Sequence, residues 1–246
     1  MFIKSTNSTN TLLKELLAKG EWPEGERYIR TDYQTAGRGQ TGNGWESEEG
    51  KNLLCSVLLP PRANLFEMNV ITAVAVHRAI TSDGLADTGL TIKWPNDIYW
   101  RDKKVAGILV ENAIIGNEVK YSIAGVGLNV NQTEWKSSAP NPVSLKQIDG
   151  AERNIEELMN RLMAETENAL HEDVWSYYKG HLYRKDGFWP FVERAVSVEP
   201  TMNAAKEEKG VFMARIEDVL PTGEMVLRDE EGKERIYHFK QIRYVV

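Results

Sequence analysis

Two long β-type segments joined by a glycine–asparagine pair constrain the fold of this chain more than any other feature. KVAGILVENAII occupies residues 104–115, and EVKYSIAGVGLNV occupies residues 118–130. The Gly116-Asn117 pair between them is a common hairpin connection, so the two segments predict an antiparallel strand pair. Residues 52–59 form a nearly continuous apolar run that predicts a buried strand. The chain must therefore build a substantial β-sheet.

Helical patterns accompany these strands. TLLKELLAKG, residues 11–20, places leucines on one face and ends in glycine, which predicts an amphipathic helix with a glycine stop. Residues 66–82 predict a largely buried helix, and residues 155–178 predict another. From about residue 188 the segments are short and β-like, which predicts a small all-β module, a compact barrel. A boundary near residue 186 divides the chain into units 1–186 and 187–246.

Composition excludes several classes of protein. The net charge of -6 argues against a nucleic-acid-binding surface. No apolar segment is long enough to span a bilayer and no cleavable leader is present, so we expect a cytoplasmic protein. The single cysteine, Cys55, excludes internal disulfides and cysteine-based zinc sites, and its apolar surroundings indicate a buried thiol. The dispersed histidines are interpreted as structural or surface residues: His77, His171, His181 and His238.

The glycine-rich stretch QTAGRGQTGNGW, residues 34–45, raises the question of a ligand. Gly37, Gly39 and Gly42 match the dinucleotide fingerprint G-x-G-x-x-G literally. That fingerprint must open a helix, whereas here a polar, glycine-rich stretch and then a strand follow. No Walker A motif occurs either. The remaining interpretations are a loop that wraps a phosphate with its backbone and Arg38, or a plain surface loop.

Three further signals lie in the same half of the chain. In KWPNDIYW, Asp97 is either a turn former or an oxygen ligand suited to Mg²⁺. Lys104 precedes Gly107, a position where another group can approach the backbone. Gly125 and Gly127 interrupt a strand, which also indicates close approach of a ligand or another backbone. Together with Arg38, these residues suit an anionic, nucleotide-like substrate.

The ordered motifs STN, QTAGRGxxGxxW, KWPND, KxAGILxE and GxGxN resemble the catalytic domain of biotin–protein ligases. The resemblance covers residues 8–129 through motifs and the remainder through its layout. It implies an α+β fold: a mixed β-sheet with flanking helices, of the class II synthetase-like type, plus a small C-terminal SH3-like β-barrel. It also implies that biotin is activated with ATP as biotinyl-5′-AMP and transferred to one lysine of a biotin carboxyl carrier domain.

The resemblance assigns roles to individual residues. Lys104 and Arg38 would supply positive charge near the α-phosphate, and Asp97 would help to hold Mg²⁺. The implied cofactor and substrates are Mg²⁺, ATP and biotin. The implied biotin-binding residues are Ser8, Thr9, Asn10, Gln34, Gly37, Arg38, Gly39, Gln40, Lys104, Gly107 and Gly125. The implied ATP-binding residues are Arg38, Gln40, Trp45, Asn96, Lys104 and Asn129.

STNSTN contains two copies of the first motif, and we select the second, Ser8-Thr9-Asn10, because it directly precedes the helix. Its side chains could also cap that helix. The loop departs from the family, since Gln40 and Asn43 stand where arginines are common. We therefore expect weaker electrostatic retention of the adenylate, and Gln40→Arg should change ATP affinity or leakage of free biotinyl-AMP.

Two further expectations follow from the resemblance. Bifunctional members carry a helix-turn-helix domain before the STN motif, whereas this chain begins a few residues ahead of it, so we expect no operator-DNA binding. A homodimer through an edge strand of the main sheet is also compatible with the family. The alternatives are a lipoate or octanoate protein ligase or transferase, and a non-catalytic module that binds biotin or a nucleotide.

Overall fold

A computed structural model of the chain describes residues 1–39, 44–62, 64–85, 89–116, 118–137, 139–194 and 208–245. Four residues used in the sequence argument, Gln40, Gly42, Asn43 and Asn117, lie outside these ranges.

A seven-stranded sheet forms the main part of the molecule, in the order β1-β2-β3-β7-β6-β5-β4. Strands β1 and β2 are parallel and the other neighbours are antiparallel, so the predicted mixed sheet is confirmed. The predicted hairpin is its centre, with Ile115 paired to Glu118. The strands are β1 (Phe2–Thr6), β2 (Tyr28–Gln34), β3 (Leu53–Leu59), β4 (Leu90–Lys93), β5 (Asp97–Trp100), β6 (Lys103–Ile115) and β7 (Glu118–Leu128).

Helices cover the two faces of this sheet unequally. On one face, α2 (Glu67–Ile80) and α4 (Ile155–His171) pack against the alternate apolar residues of β3, β6 and β7 and form the main core. On the other face, α1 (Thr9–Lys19) packs through Leu13 against Ile29 and Ile123. Gly20 ends α1 in the left-handed conformation, as the glycine stop predicted. The candidate site lies on this second face of the sheet, next to the N-terminal end of α1.

The prediction of one helix over residues 155–178 is wrong. The structure has two helices there, α4 ending at His171 and α5 (Trp175–Gly180) beginning after a short break. In the break, Asp173 accepts a hydrogen bond from the backbone N–H of Trp175, and this local bond competes with helix continuation. A further short helix, α3 (Leu145–Asp149), was not predicted, although Ser144 and Gln147 form a capping box that signals its start.

The C-terminal region is a five-stranded antiparallel sheet in the order β11-β10-β9-β8-β12, which confirms the all-β prediction. Among the described residues its two edge strands, β11 and β12, are not paired to each other, so closure into an SH3-like barrel stays a prediction. The boundary near residue 186 also stays a prediction. The strands are β8 (Trp189–Arg194), β9 (Glu208–Val219), β10 (Met225–Asp229), β11 (Glu234–Tyr237) and β12 (Ile242–Tyr244).

This C-terminal sheet docks against the KWPND turn of the main sheet. The indole N–H of Trp94 donates to the carbonyl of Gly223 at 3.0 Å, and its ring lies 5.8 Å from that of Phe239. On the same side, the ring of Tyr244 lies 5.4 Å from that of Tyr183. These contacts place residues of the C-terminal sheet beside Lys93 and Asp97, at the open side of the candidate site.

His77 in α2 makes the stability of the fold sensitive to acid. Its side chain is buried, with Nε2 3.2 Å from the carbonyl of Leu90 and Nδ1 3.0 Å from the hydroxyl of Tyr177. Burial lowers the pKa of His77 to about 4. As the pH falls, His77 is therefore protonated in the unfolded chain at a higher pH than in the folded protein. The free energy of unfolding decreases once the pH drops below about 6.5, the pKa of histidine in the unfolded chain. Between about pH 7.5 and about pH 5, we expect a loss of about 2 kcal/mol from this group.

Urea unfolding at these pH values tests the prediction. His77→Gln keeps a polar side chain that does not titrate, so its free energy of unfolding should fall less on acidification than that of the wild type. His171→Gln, at an exposed histidine, should leave the wild-type difference intact. If the free energy of unfolding fell equally on acidification in His77→Gln and in the wild type, His77 would not be the cause of the acid sensitivity.

Candidate functional site

A cavity of about 370 Å³ lies between the start of α1, the loop after β2, the KWPND turn and the C-terminal sheet. Most of the residues proposed from the sequence meet there. Gly37 and Asn129 instead line a neighbouring cavity of about 780 Å³, which shares Gln34, Trp45 and Lys104 with the first. The proposed residues in the first cavity are Ser8, Thr9, Asn10, Gln34, Arg38, Gly39, Trp45, Asn96, Asp97, Lys104, Gly107 and Gly125.

Three strand glycines leave the sheet surface bare at this point. A Cβ on Gly125 would overlap the amide of Asn10, and a Cβ on Gly127 would overlap the indole of Trp45. A Cβ on Gly107 would lie 2.9 Å from the same indole. The sequence predicted that another group comes close to these glycines. In the structure that group is a side chain of the protein itself, either Asn10 or Trp45. Any larger residue would displace Asn10 or Trp45.

A buried polar network positions the STN motif. The backbone N–H of Thr9 donates to Gln34 Oε1 at 2.8 Å, joining α1 to the end of β2. Ser56 Oγ lies 2.5 Å from Asn10 Oδ1 and 2.7 Å from Thr9 Oγ1. Because the amide oxygen of Asn10 can only accept, the Ser56 hydroxyl fixes which way that amide faces. Ser56, a buried polar residue within the apolar β3, was not proposed from the sequence.

Glu111 of β6 connects this network to the glycine-rich loop. It accepts a hydrogen bond from Asn10 Nδ2 at 2.8 Å and lies 3.5 Å from Arg38 Nη2. The same Arg38 nitrogen donates to Thr11 Oγ1 at 2.9 Å. The loop is closed at its base, where the backbone N–H of Trp45 donates to the carbonyl of Gly37 at 2.9 Å. Arg38 is thus held at the cavity wall by α1 and Glu111.

The expectation that the second STN copy caps α1 is wrong. Ser8 occupies the N-cap position but its side chain makes no capping hydrogen bond. Thr9 N–H is bonded to Gln34 instead, and Asn10 turns inward to Ser56 and Glu111. The first copy lies partly within β1, whereas the second copy lines the cavity. The second copy therefore lines the cavity, and the Ser8 side chain does not cap the start of α1.

Lys104 and Asp97 form an ion pair on the cavity wall, with Nζ 2.7 Å from Oδ2. Both side chains are about 30% exposed, at 30% and 28%, so they are open to an incoming ligand. Lys104 Nζ also lies 5.8 Å from the centroid of the Trp45 ring. The lysine thus stands at the junction of the two cavities, beside the indole that separates them.

The two proposed asparagines are bonded to the main chain. Asn96 Nδ2 donates to the carbonyl of Ile108 at 2.9 Å. Asn129 Nδ2 donates to the carbonyls of Lys104 and Val143 at 3.3 and 3.2 Å, which aims its Oδ1 away from them. Within the described ranges, that buried oxygen has no hydrogen-bond partner. Asn129 can therefore accept a hydrogen bond from a ligand in the second cavity.

The second cavity has an unusual set of buried polar atoms. Besides Asn129 Oδ1, the indole nitrogens of Trp45 and Trp135 and the hydroxyl of Ser47 have no hydrogen-bond partner within the part of the chain that is described. Two aromatic side chains together with donors and an acceptor suit a flat heterocycle that has both kinds of group. Trp135 and Ser47 were not proposed from the sequence, because no motif marks them.

The residues around Asp97 fit a magnesium ion only if it arrives with a ligand. No group of three or more histidine, cysteine, aspartate or glutamate side chains that could hold a metal occurs among the described residues. Asp97 is the carboxylate that lines the first cavity, and one of its oxygens is bonded to Lys104. Mg²⁺ commonly uses one or two carboxylates plus substrate phosphates, and Asp97 meets that requirement.

The interpretation of Cys55 is confirmed. The side chain is 1% exposed, and burial raises the pKa of the thiol to about 12, so the buried thiol stays protonated at neutral pH. No helix in the described ranges is long and apolar enough to cross a membrane. After Trp45 the chain runs without a helix into β3, which agrees with rejection of the dinucleotide fingerprint.

Comparison with known proteins identifies the family of the chain. Residues 2–129 match the Biotin/lipoate A/B protein ligase family. The chain therefore belongs to this family, and the matched residues contain the five motifs. The bifunctional ligase/repressor BirA of Bacillus spizizenii is 30% identical over 234 residues, covering 90% of this chain and 67% of that protein.

Two other relatives extend over nearly the whole chain. The biotin–[acetyl-CoA-carboxylase] ligase of Paracoccus denitrificans is 28% identical, covering 94% of this chain and 95% of that enzyme. The biotin protein ligase of Aquifex aeolicus, solved in complex with biotin and ATP, superposes with a TM-score of 0.75 at 22% identity. That superposition covers 100% of this chain and 98% of the Aquifex chain, so the fold includes the C-terminal sheet.

Proposed function

We propose that the chain is an ATP-dependent biotin–protein ligase, which forms biotinyl-5′-AMP and transfers biotin to a lysine of a biotin carboxyl carrier domain. One observation carries the proposal: two cavities of different chemistry meet at Lys104. Adenylation needs such an arrangement, because a carboxylate and a nucleotide must be brought together at one cation. The family includes biotin and lipoate ligases, and the names of the relatives support the choice of biotin.

Biotin is proposed to occupy the end of the first cavity beside α1. The groups there are neutral hydrogen-bonding side chains, Ser8, Thr9, Asn10 and Gln34, and Asn10 packs directly against Gly125. Biotin has a neutral ureido group with two N–H donors and a carbonyl acceptor, and such side chains can match it. Arg38 and Lys104 line the same cavity and would receive the carboxylate of biotin.

The adenine base of ATP is proposed to occupy the second cavity. Trp45 offers a flat indole surface, and Asn129 Oδ1 offers an acceptor for the exocyclic amine of adenine. The indole N–H groups of Trp45 and Trp135 could donate to ring nitrogens. This placement leaves the phosphates at the junction of the cavities, beside Lys104.

In the first step the carboxylate oxygen of biotin attacks the α-phosphorus of ATP, and pyrophosphate leaves with the electrons of the broken bond. Two anions must approach, so the ammonium of Lys104 and the guanidinium of Arg38 lower the barrier by offsetting their charge. Arg38 would leave Glu111 and Thr11 to do so. Mg²⁺, when bound with ATP and held by Asp97, would polarise the phosphoryl oxygens.

In the second step the amine of the carrier lysine attacks the carbonyl carbon of the adenylate, and AMP leaves. The mixed anhydride is already reactive, so the protein mainly positions the two reactants. Polar contacts from Thr9, Gln34 and Asn10 would keep biotin in place during this exchange. We further propose a cytoplasmic location and homodimer formation through edge strand β1.

Labelling of a carboxylase carrier domain tests the proposed function. Purified protein, ATP, Mg²⁺ and biotin should modify one lysine of the carrier, and omission of ATP should prevent it. Labelling with lipoate or octanoate but not with biotin would replace the proposal with the lipoate-type alternative. Tight biotin binding without AMP release would identify a non-catalytic binding module instead.

A further inference from the structure

Lys93, the last residue of β4, is a lysine of the first cavity that has no role in the assignments above. Its Nζ donates to the hydroxyl of Tyr99 at 3.0 Å and lies 4.2 Å from the centroid of that ring. The rings of Tyr244 and Tyr183 are 5.3 and 5.7 Å away. Three tyrosine rings thus lie around the ammonium group of this lysine. One of them, Tyr244, belongs to the C-terminal sheet.

The charge of Lys93 is poorly compensated by the protein. Tyr99 is the hydrogen-bond partner of its ammonium among the described residues, and no carboxylate there forms an ion pair with it. Burial lowers the pKa of Lys93 to about 8, and the nearby charges of Asp97 and Asp102 only partly oppose this effect. A half-buried cation whose hydrogen-bond partner is a neutral hydroxyl is only partly compensated, and its position in a cavity lined by further basic residues indicates an anionic ligand. An ammonium has three donors, which leaves hydrogen-bonding capacity for such a ligand.

Lys93 and Lys104 lie in the same part of this cavity. Lys93 is paired with Asp97 across the β4–β5 ladder, and Asp97 in turn is bonded to Lys104. The charges of Asp97 and Lys104 both act on the ammonium of Lys93, so one anion with several charges can interact with both lysines. Arg194, Lys240 and Arg243 of the C-terminal region line the same cavity. An anion that begins at Lys104 and extends toward Lys93 would carry several charges.

We propose that Lys93 binds the β- and γ-phosphates of ATP and the pyrophosphate that leaves in the first step. This inference rests on the proposed adenylation of biotin. When the bond between the α-phosphorus and the bridging oxygen breaks, the electron pair goes to pyrophosphate, and the ammonium of Lys93 offsets the added charge without giving up its proton. The tyrosines exclude water and thereby strengthen this interaction.

The test is biotin-dependent exchange of labelled pyrophosphate into ATP, together with transfer of biotin from added biotinyl-5′-AMP to a carrier domain. Lys93→Met should raise the KM for pyrophosphate, and that for ATP, by about tenfold or more, as expected for loss of a charged hydrogen bond. Lys93→Arg should recover most of this loss. Transfer from added biotinyl-AMP should be unchanged, since that step involves no pyrophosphate. Lys103→Met, at an exposed lysine at the start of β6, is the matched control.

The outcomes separate this inference from the proposed function. If the wild type shows no biotin-dependent exchange, the proposed function fails. If the wild type exchanges and Lys93→Met keeps the wild-type KM for pyrophosphate, the inference on Lys93 is overturned. Equal losses in exchange and in transfer from added biotinyl-AMP would also overturn it, because they indicate a structural role. If Lys93→Met does not fold, Lys93→Gln removes the charge while keeping a polar side chain, and the same criteria apply.

Discussion

Replacing Lys104 with alanine should lower the rate of biotinyl-AMP formation by about 10²- to 10³-fold, the usual effect of removing one group that stabilises developing charge. Lys104 lies where the two cavities meet and is bonded to Asp97 at 2.7 Å. Its loss removes positive charge from the place where the carboxylate and the α-phosphate must approach. Rapid-quench measurement of biotinyl-AMP from biotin and ATP is the appropriate assay.

Lys103→Ala is the matched control for this change. Lys103 is adjacent in β6 but exposed, and it is not part of either cavity within the described residues. Adenylation by Lys103→Ala should remain within about twofold of the wild type, as is usual for surface substitutions. An unchanged adenylation rate in Lys104→Ala would overturn the residue assignments while leaving the fold intact.

Alanine at Gly125 and at Gly127 should affect different substrates. A Cβ at Gly125 displaces Asn10, at the end of the cavity assigned to biotin, whereas a Cβ at Gly127 displaces Trp45, beside the cavity assigned to adenine. A displaced Asn10 or Trp45 no longer contacts its substrate in the proposed position, so the KM should rise by about tenfold, as expected for the loss of one hydrogen bond. Gly125→Ala should raise the KM for biotin, and Gly127→Ala should raise the KM for ATP.

Gly180→Ala provides the control for a glycine substitution as such, because a Cβ there meets no atom within 4 Å. Steady-state kinetics with each substrate varied in turn separates the two effects, and thermal unfolding of each variant monitors folding. If both variants raised the KM for the same substrate, or neither raised any KM, the assignment of the two cavities would be wrong.

The strand glycines show what could be predicted from the sequence. Gly125 and Gly127 interrupt an otherwise good strand, and such residues indicate close approach of another group. The partners could not be predicted, because they belong to distant segments. Asn10 reaches Gly125 from α1, and Trp45 reaches Gly127 from a loop. The hydrophobic pattern likewise predicted β3, β6, β7, α1, α2 and α4, since burial of apolar residues determines that pattern.

Polar side chains were harder to interpret. Ser8 has the residue type of a helix cap, but the side chain makes no capping bond, and Thr9 N–H donates to Gln34, 25 residues away. Glu111 lies within a recognisable motif, yet its contact with Asn10 spans 101 residues. The tendency of such polar side chains to bond to the nearby backbone competes with long-range hydrogen bonds. The spacing of residues in the sequence does not show which of the two forms. Lys93 was overlooked for the same reason, because its tyrosines come from three separate segments.

Formation of the adenylate without any carrier protein tests the central claim most directly. The protein, at a concentration comparable to that of biotin, is incubated with ATP and Mg²⁺, and the products are identified by mass spectrometry. The proposed function predicts biotinyl-5′-AMP and pyrophosphate in the complete mixture and neither product when biotin is omitted. Formation of a lipoyl or octanoyl adenylate but no biotinyl-5′-AMP, or of no adenylate at all, would contradict it.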